Sequence, residues 1–88
     1  DTSNIIIAYE PVWSIGTGLI PKSNDLSNSI LYIKSKFQKK SLKVLYGGSV
    51  NNKNITQLKD INIIDGFLIG GASQSPKKFI DIIKKTFI

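Results

Sequence analysis

Glu10 is the only glutamate in the sequence, and it follows directly on the apolar run Ile5-Ile6-Ile7-Ala8. A carboxylate in that place can serve as a general base when apolar surroundings raise its pKa toward working pH. Tyr9, Val12, Trp13 and Ile15 are the neighbours able to supply such surroundings; without them, Glu10 is an ordinary solvated or salt-bridged carboxylate. Ser14-Ile15-Gly16-Thr17-Gly18 comes next. Two glycines flanking a threonine can make a flexible tip whose backbone N–H groups close over an anion, and they equally fit a plain surface loop. Farther on, Gly47-Gly48-Ser49-Val50 and Gly70-Gly71-Ala72-Ser73 each offer backbone donors and a hydroxyl. Either pair alone fits turn chemistry. Two such pairs, each closing an apolar run, point to a phosphate grip beside a carboxylate base.

The rest of the composition narrows the chemistry. The 88 residues contain no histidine, which excludes a Ser–His or Cys–His nucleophile, a histidine metal site and an imidazole acid from this stretch. They contain no cysteine, so no disulfide framework or thiolate site exists here. The formal charge is +6, from 12 basic residues against 6 acidic ones, and every basic residue is lysine. Bidentate reading of bases or phosphates favours arginine. Lys34, Lys36, Lys39 and Lys40, then Lys77, Lys78, Lys84 and Lys85, are therefore read as the wet faces of two helices, and no nucleic-acid partner is expected. No apolar run approaches the ~20 residues that span a bilayer, so no membrane partner is expected either. The absence of methionine and the start of strand sequence at Ile5 suggest part of a larger gene product.

Three strand–helix units must position these groups. Ile5 to Ala8 is continuous rather than alternating, as a parallel strand buried on both faces would be. Leu26, Ile30, Ile33 and Phe37 fall on one face of a helix, with Ser23 or Asn24 as its cap and Pro21 holding the preceding chain out of it. Val44-Leu45-Tyr46 is a second strand and Asn51 to Lys59 a short helix. Phe67-Leu68-Ile69 is the third strand. Ser75 and Pro76 open a last helix whose apolar face carries Phe79, Ile83 and Phe87. The order βαβαβα indicates an α/β fold with parallel strands. A (β/α)8 barrel of about 250 residues spends roughly 31 on each unit, so the chain matches a little under three of them. An open doubly wound sheet shares the local pattern, though no dinucleotide glycine fingerprint joins a strand to a helix here.

The three motifs together resemble the triosephosphate isomerase family. Ala8-Tyr9-Glu10-Pro11-Val12-Trp13 with Ile15-Gly16-Thr17-Gly18 is similar to its base-and-lid segment, and Tyr46-Gly47-Gly48-Ser49-Val50 to its seventh loop. Asp65-Gly66-Phe67-Leu68 with Gly70-Gly71-Ala72-Ser73 is similar to its eighth. The resemblance covers essentially the whole chain and implies that residues 1–88 are the carboxy-terminal part of one (β/α)8 TIM-barrel domain, strands and helices 6 to 8. A glutamate base beneath a closing loop is what this family is known for, so those roles come with the resemblance and not from the spacing. It implies Glu10 as the base, Gly16, Ser49, Gly70 and Gly71 as phosphate contacts, Leu68 beside the substrate, and Pro11-Val12-Trp13 as the first lid hinge.

The implied reaction interconverts dihydroxyacetone phosphate and glyceraldehyde 3-phosphate through an enediolate, with no metal and no organic cofactor. The implied parent is a cytoplasmic homodimer. Two departures stand out: the second hinge, often Lys-Thr-Ala, reads Leu19-Ile20-Pro21, and Ser14 stands where alanine is common. The family's asparagine and lysine after the first strand and its histidine after the fourth have no counterpart, so these residues alone are expected to be inactive. The rival readings are a phosphate-binding or assembly module left from a truncated barrel and, less well supported, a lysine-rich nucleic-acid binder.

Overall fold

A computed structural model describes residues 5–37 and 42–87. Its elements are β1 (Ile6–Tyr9), α1 (Ser23–Ser35), β2 (Lys43–Tyr46), α2 (Ile55–Leu58), β3 (Gly66–Phe67), a 3-10 turn (Gly71–Gln74) and α3 (Pro76–Phe87). The strands form one parallel sheet in the order β1-β2-β3. Ile7 lies opposite Val44, Tyr9 opposite Tyr46, and Tyr46 opposite Phe67. The expected βαβαβα order is therefore present.

The register decides which face is buried. Ile7, Tyr9, Val44, Tyr46 and Phe67 share the face covered by helices. Val44 and Tyr46 are fully buried there with Leu26 and Ile30 of α1, Ile55 and Leu58 of α2, and Ile82 of α3. The opposite face is bare: Ile6 is 65% exposed, and Ala8 and Leu68 are exposed too. The expected burial of the first strand on both faces is thus corrected to burial on one. Its apolar run is continuous, but among the described residues no layer covers the second side.

Local chemistry shifts several boundaries. Lys22, not Ser23 or Asn24, precedes α1, and no side chain caps it. Asp25 in the first turn and Lys34 in the last complement the helix dipole instead. The helix ends before Phe37, which is partly exposed, so its apolar stripe is one turn shorter than its periodicity suggests. The short helix expected over Asn51 to Lys59 shrinks to α2 because Asn51 organises a turn before it. The Asn51 side chain accepts from the Lys53 and Asn54 N–H groups at 2.8 Å each, and Asn54 Oδ1 accepts from the Asn51 N–H at 2.9 Å. Strand pairing at β3 stops at Phe67, although the Leu68 N–H still donates to the Tyr46 carbonyl at 3.0 Å.

Ser75 caps α3 as expected, its hydroxyl accepting from the Lys78 N–H at 3.3 Å. The buried residue of that helix, however, is Ile82. Phe79, Ile83 and Phe87 line an open apolar hollow of about 580 Å³ beside β3, and Phe87 is 81% exposed. Asp65 ties the sheet to α1. Its carboxylate accepts from the Val44 N–H at 2.8 Å and pairs with Lys34 at 3.0 Å, while Lys34 also donates to the Ile63 carbonyl. Lys85 pairs with Asp81 and donates to the Asn52 carbonyl, whereas Lys77, Lys78 and Lys84 are solvated. Lys39 and Lys40 lie outside the described residues. Among those described, no helix is long and apolar enough to cross a membrane.

Candidate active site

Glu10, Gly16, Ser49, Leu68, Gly70 and Gly71 line one hollow of about 350 Å³ just beyond the strand ends. The larger hollow beside β3 shares only Leu68 with it and is mainly apolar. The geometry thus brings together the base and phosphate contacts that the resemblance implies, but not the third-loop hydroxyl: Ser73 lines the apolar hollow and donates to the Gly70 carbonyl at 2.5 Å. Among the described residues no cluster of three or more histidine, cysteine or acidic side chains could hold a metal ion.

Glu10 follows β1, where the Gly47 N–H donates to the Tyr9 carbonyl at 2.9 Å and fixes the strand ends against each other. A Cβ added at Gly47 would stand 2.7 Å from Glu10 Cγ and 2.9 Å from its Oε1. Gly47 therefore leaves the space that the carboxylate occupies. The apolar enclosure expected from Tyr9, Val12, Trp13 and Ile15 is not formed. Val12 is 85% exposed, Trp13 and Ile15 are about half exposed, and Glu10 itself is exposed. Tyr9 turns instead toward the helix-covered core.

The segment from Pro11 to Pro21 folds back on the second strand–helix loop. Both prolines are buried, so both ends are anchored. Between them the Ser14 N–H donates to the Pro11 carbonyl at 2.9 Å, and the Thr17 N–H to the Ser14 carbonyl at 3.3 Å. Thr17 Oγ1 donates toward the Trp13 and Ser14 carbonyls and accepts from the Leu19 N–H. What the sequence suggested as a flexible tip is a hydrogen-bonded series of turns. Gly16 and Gly18 have φ of 71° and 78°, a left-handed conformation that glycine adopts without strain.

The hydrogen bonding of Ser14 and Tyr46 in this arrangement escaped the sequence reading. Ser14 is fully buried. Its Oγ donates to the Leu19 carbonyl at 2.5 Å, accepts from the Ser49 N–H at 3.1 Å, and lies 2.8 Å from the Tyr46 hydroxyl. Burial pushes the Tyr46 phenol above its ordinary pKa, against the lowering effect of hydrogen bonds from Ser14 and the Ser49 backbone. The visible signal was small: serine where the resembling family commonly has alanine. Ser49 Oγ accepts from the Gly18 N–H at 2.9 Å and donates to the Ser14 carbonyl. Ser49 thus holds the folded-back segment as well as facing the hollow.

The third loop opens toward the same space. The Ser73 N–H donates to the Gly70 carbonyl at 2.9 Å and closes the 3-10 turn. The amides of Gly16, Gly70 and Gly71 donate to no other described residue. Exposed backbone donors around a hollow are suited to a phosphate's oxygens, and a carboxylate lining it is suited to proton transfer.

A family model described as triosephosphate isomerase matches residues 1–86. The triosephosphate isomerase of Yarrowia lipolytica is 49% identical over 94% of this chain and 36% of its own length. That of Candida albicans is 47% identical over 96% of the chain and 36% of its length. That of Mycoplasma mobile is 48% identical over 96% of the chain and 34% of its length. The chain therefore spans about a third of the relatives it matches, and it belongs to the triosephosphate isomerase family.

Proposed function

We propose that these residues supply the base and much of the phosphate grip of an enzyme interconverting dihydroxyacetone phosphate and glyceraldehyde 3-phosphate. The observation that carries the reading is the shared hollow, lined by Glu10 together with Gly16, Gly70 and Gly71, whose amides donate to no other described residue. Glu10 takes a proton from one carbon of the bound triose phosphate and returns it to the neighbouring carbon. The glycine amides hold the phosphate, and the Pro11–Pro21 segment covers the substrate and excludes water. The negative charge that develops on the substrate oxygen needs donors that the family carries in its earlier units, so the reaction requires the remainder of a barrel. The homodimeric state and cytoplasmic setting implied by the family belong to the same proposal.

The test begins with the natural polypeptide that carries these residues, whose mass should lie near ~27 kDa for a barrel of about 250 residues. It should turn over dihydroxyacetone phosphate, and Glu10→Gln should lower kcat by about 10³-fold. The 88-residue chain alone should show no turnover. Turnover by that chain, abolished by Glu10→Gln, would overturn the need for a completed barrel. A natural polypeptide that binds triose phosphate through Ser49 but never isomerises it would replace the enzyme reading with that of a phosphate-binding module.

A further inference from the structure

The hollow that carries the proposed function offers an anion few side-chain donors. Of the described residues that line it, only Glu10, Ser49 and Asn51 have polar side chains. A carboxylate accepts hydrogen bonds and does not donate them. Ser49 Oγ gives its one proton to the Ser14 carbonyl. No lysine is among the lining residues, although the chain carries 12 basic side chains. Asn51 is the remaining side chain with N–H groups to offer.

The bonds around Asn51 fix which of its atoms is left over. Its backbone N–H donates to Asn54 Oδ1 at 2.9 Å, and its carbonyl accepts from the Ile55 N–H at 3.1 Å. Its Oδ1 accepts from the Lys53 and Asn54 N–H groups at 2.8 Å each. Two backbone donors converging on one atom require an oxygen there, which decides the orientation of the amide. Asn54 Nδ2 donates in turn to the Ser49 carbonyl at 3.1 Å, so the loop is tied on both sides of residue 51. Asn51 Nδ2, with two protons, donates to no described residue. An amide is planar, so a side chain held through Oδ1 at two points also holds Nδ2. Little further freedom is then lost when a ligand binds.

We propose that the Asn51 side-chain amide is a further contact for the phosphate group, a neutral donor beside the amides of Gly16, Gly70 and Gly71. A phosphate monoester presents three strongly accepting oxygens, more than three single amides saturate. Hydrogen bonds to such a charged group are roughly twice as strong as those between neutral partners. Asn51 touches phosphate oxygens here and takes no part in proton transfer. The proposal rests on the reading of this hollow as a phosphate site, but it can be tested without turnover.

The experiment uses the natural polypeptide with inorganic phosphate as the probe. It follows the nitrogen–proton NMR signal of the Asn51 side-chain amide, assigned from its loss in Asn51→Ser. Phosphate should shift that signal with the same midpoint as the backbone signals of Gly16, Gly70 and Gly71. Asn51→Asp keeps an acceptor for both loop N–H groups but replaces the free donor with a second charge in the hollow. Asn51→Ser keeps a shorter acceptor and adds no charge. Both residue types suit this turn, so urea midpoints should stay near the parent's. Asn51→Ser should weaken phosphate binding about tenfold, and Asn51→Asp about a hundredfold. An Asn51 signal that ignores saturating phosphate would overturn the contact, as would an Asn51→Ser polypeptide that binds phosphate as tightly as the parent. Should the variants lose their fold, the signal of the unsubstituted polypeptide still decides. A shifted Asn51 signal without triose phosphate turnover would remove the isomerase reading and keep the contact. Turnover with a silent Asn51 would do the reverse, and a polypeptide that binds no phosphate would remove both.

Discussion

At Gly47 the chain omits a Cβ that would press within 2.7 Å of Glu10 Cγ, so the position of this carboxylate is set by the residue that follows the adjacent strand as well as by its own strand. Gly47→Ala should therefore displace the carboxylate while leaving its chemistry intact. A shift near ~1 Å in a reacting group costs on the order of 10²-fold in rate. In the natural polypeptide we expect kcat to fall by about that factor with substrate affinity little changed, as steady-state kinetics would read directly. An equal loss in a Glu10-independent property, such as phosphate binding, would instead mean that the substitution damaged the loop. Glu10 and the glycine pairs were legible because unusual residue types recur at strand ends. The reason for each glycine was not. Gly47 looked like a backbone donor, and its contact with Glu10 arises only when β1 and β2 pair in one particular register. Ser14 was hidden for a similar reason: its partners lie 5, 32 and 35 residues away along the chain.

Among the elements, the Asp65 clamp joins β2, α1 and the approach to β3 through one carboxylate. Burial alone would raise its pKa. The Val44 N–H, then the Lys34 ammonium and the charge of Lys43, outweigh that and hold it below its ordinary value. A depressed carboxylate contributes stability that is fully present above its unfolded pKa of about 3.9 and is lost as pH falls through the lower folded value. Asp65→Asn keeps an acceptor for Val44 but removes the charge, and should cost about 1 kcal/mol near neutrality, since solvent screens this partly exposed pair. Asp65→Ala leaves the Val44 amide, on a fully buried residue, without its partner and should cost about 2 kcal/mol. Urea midpoints measured on the completed barrel at neutral pH and near pH 3 check both. The gap between the parent and Asp65→Asn should close in acid, and a constant gap would show that charge is not what the clamp contributes. The order of elements was readable from apolar runs and glycine punctuation, but their ends were not. Asn51 and Asn54 cap each other reciprocally, and α3 buries Ile82 in place of the phenylalanine stripe. Such choices depend on which neighbours arrive, which periodicity alone does not contain.

For the molecule as a whole, the deciding fact is that three parallel strands carry helices on one side only. The radius of gyration is 13.0 Å, above the ~12 Å expected of a compact domain of this length. Ile6 and Leu68 stand exposed beyond the bare face, and β1 and β3 are edges with no further strand among the described residues. Phe79, Ile83 and Phe87 leave a second apolar surface beside β3. Exposed edges and contiguous apolar area drive association between chains. The 88-residue chain on its own should therefore bind a hydrophobic dye, sediment as concentration-dependent oligomers and unfold without a sharp transition. Supplying as a separate polypeptide the part of the Yarrowia lipolytica relative that this chain does not match should suppress both dye binding and association, because a partner strand at each edge leaves none open. Ile6→Lys with Phe87→Glu should reduce self-association without restoring a sharp transition, since charge blocks the contact but fills no core. A monomeric chain with a steep urea transition and no dye binding would show that one helical layer is enough to stabilise three strands. A completed barrel would then be a requirement of the proposed catalysis alone, and not of folding.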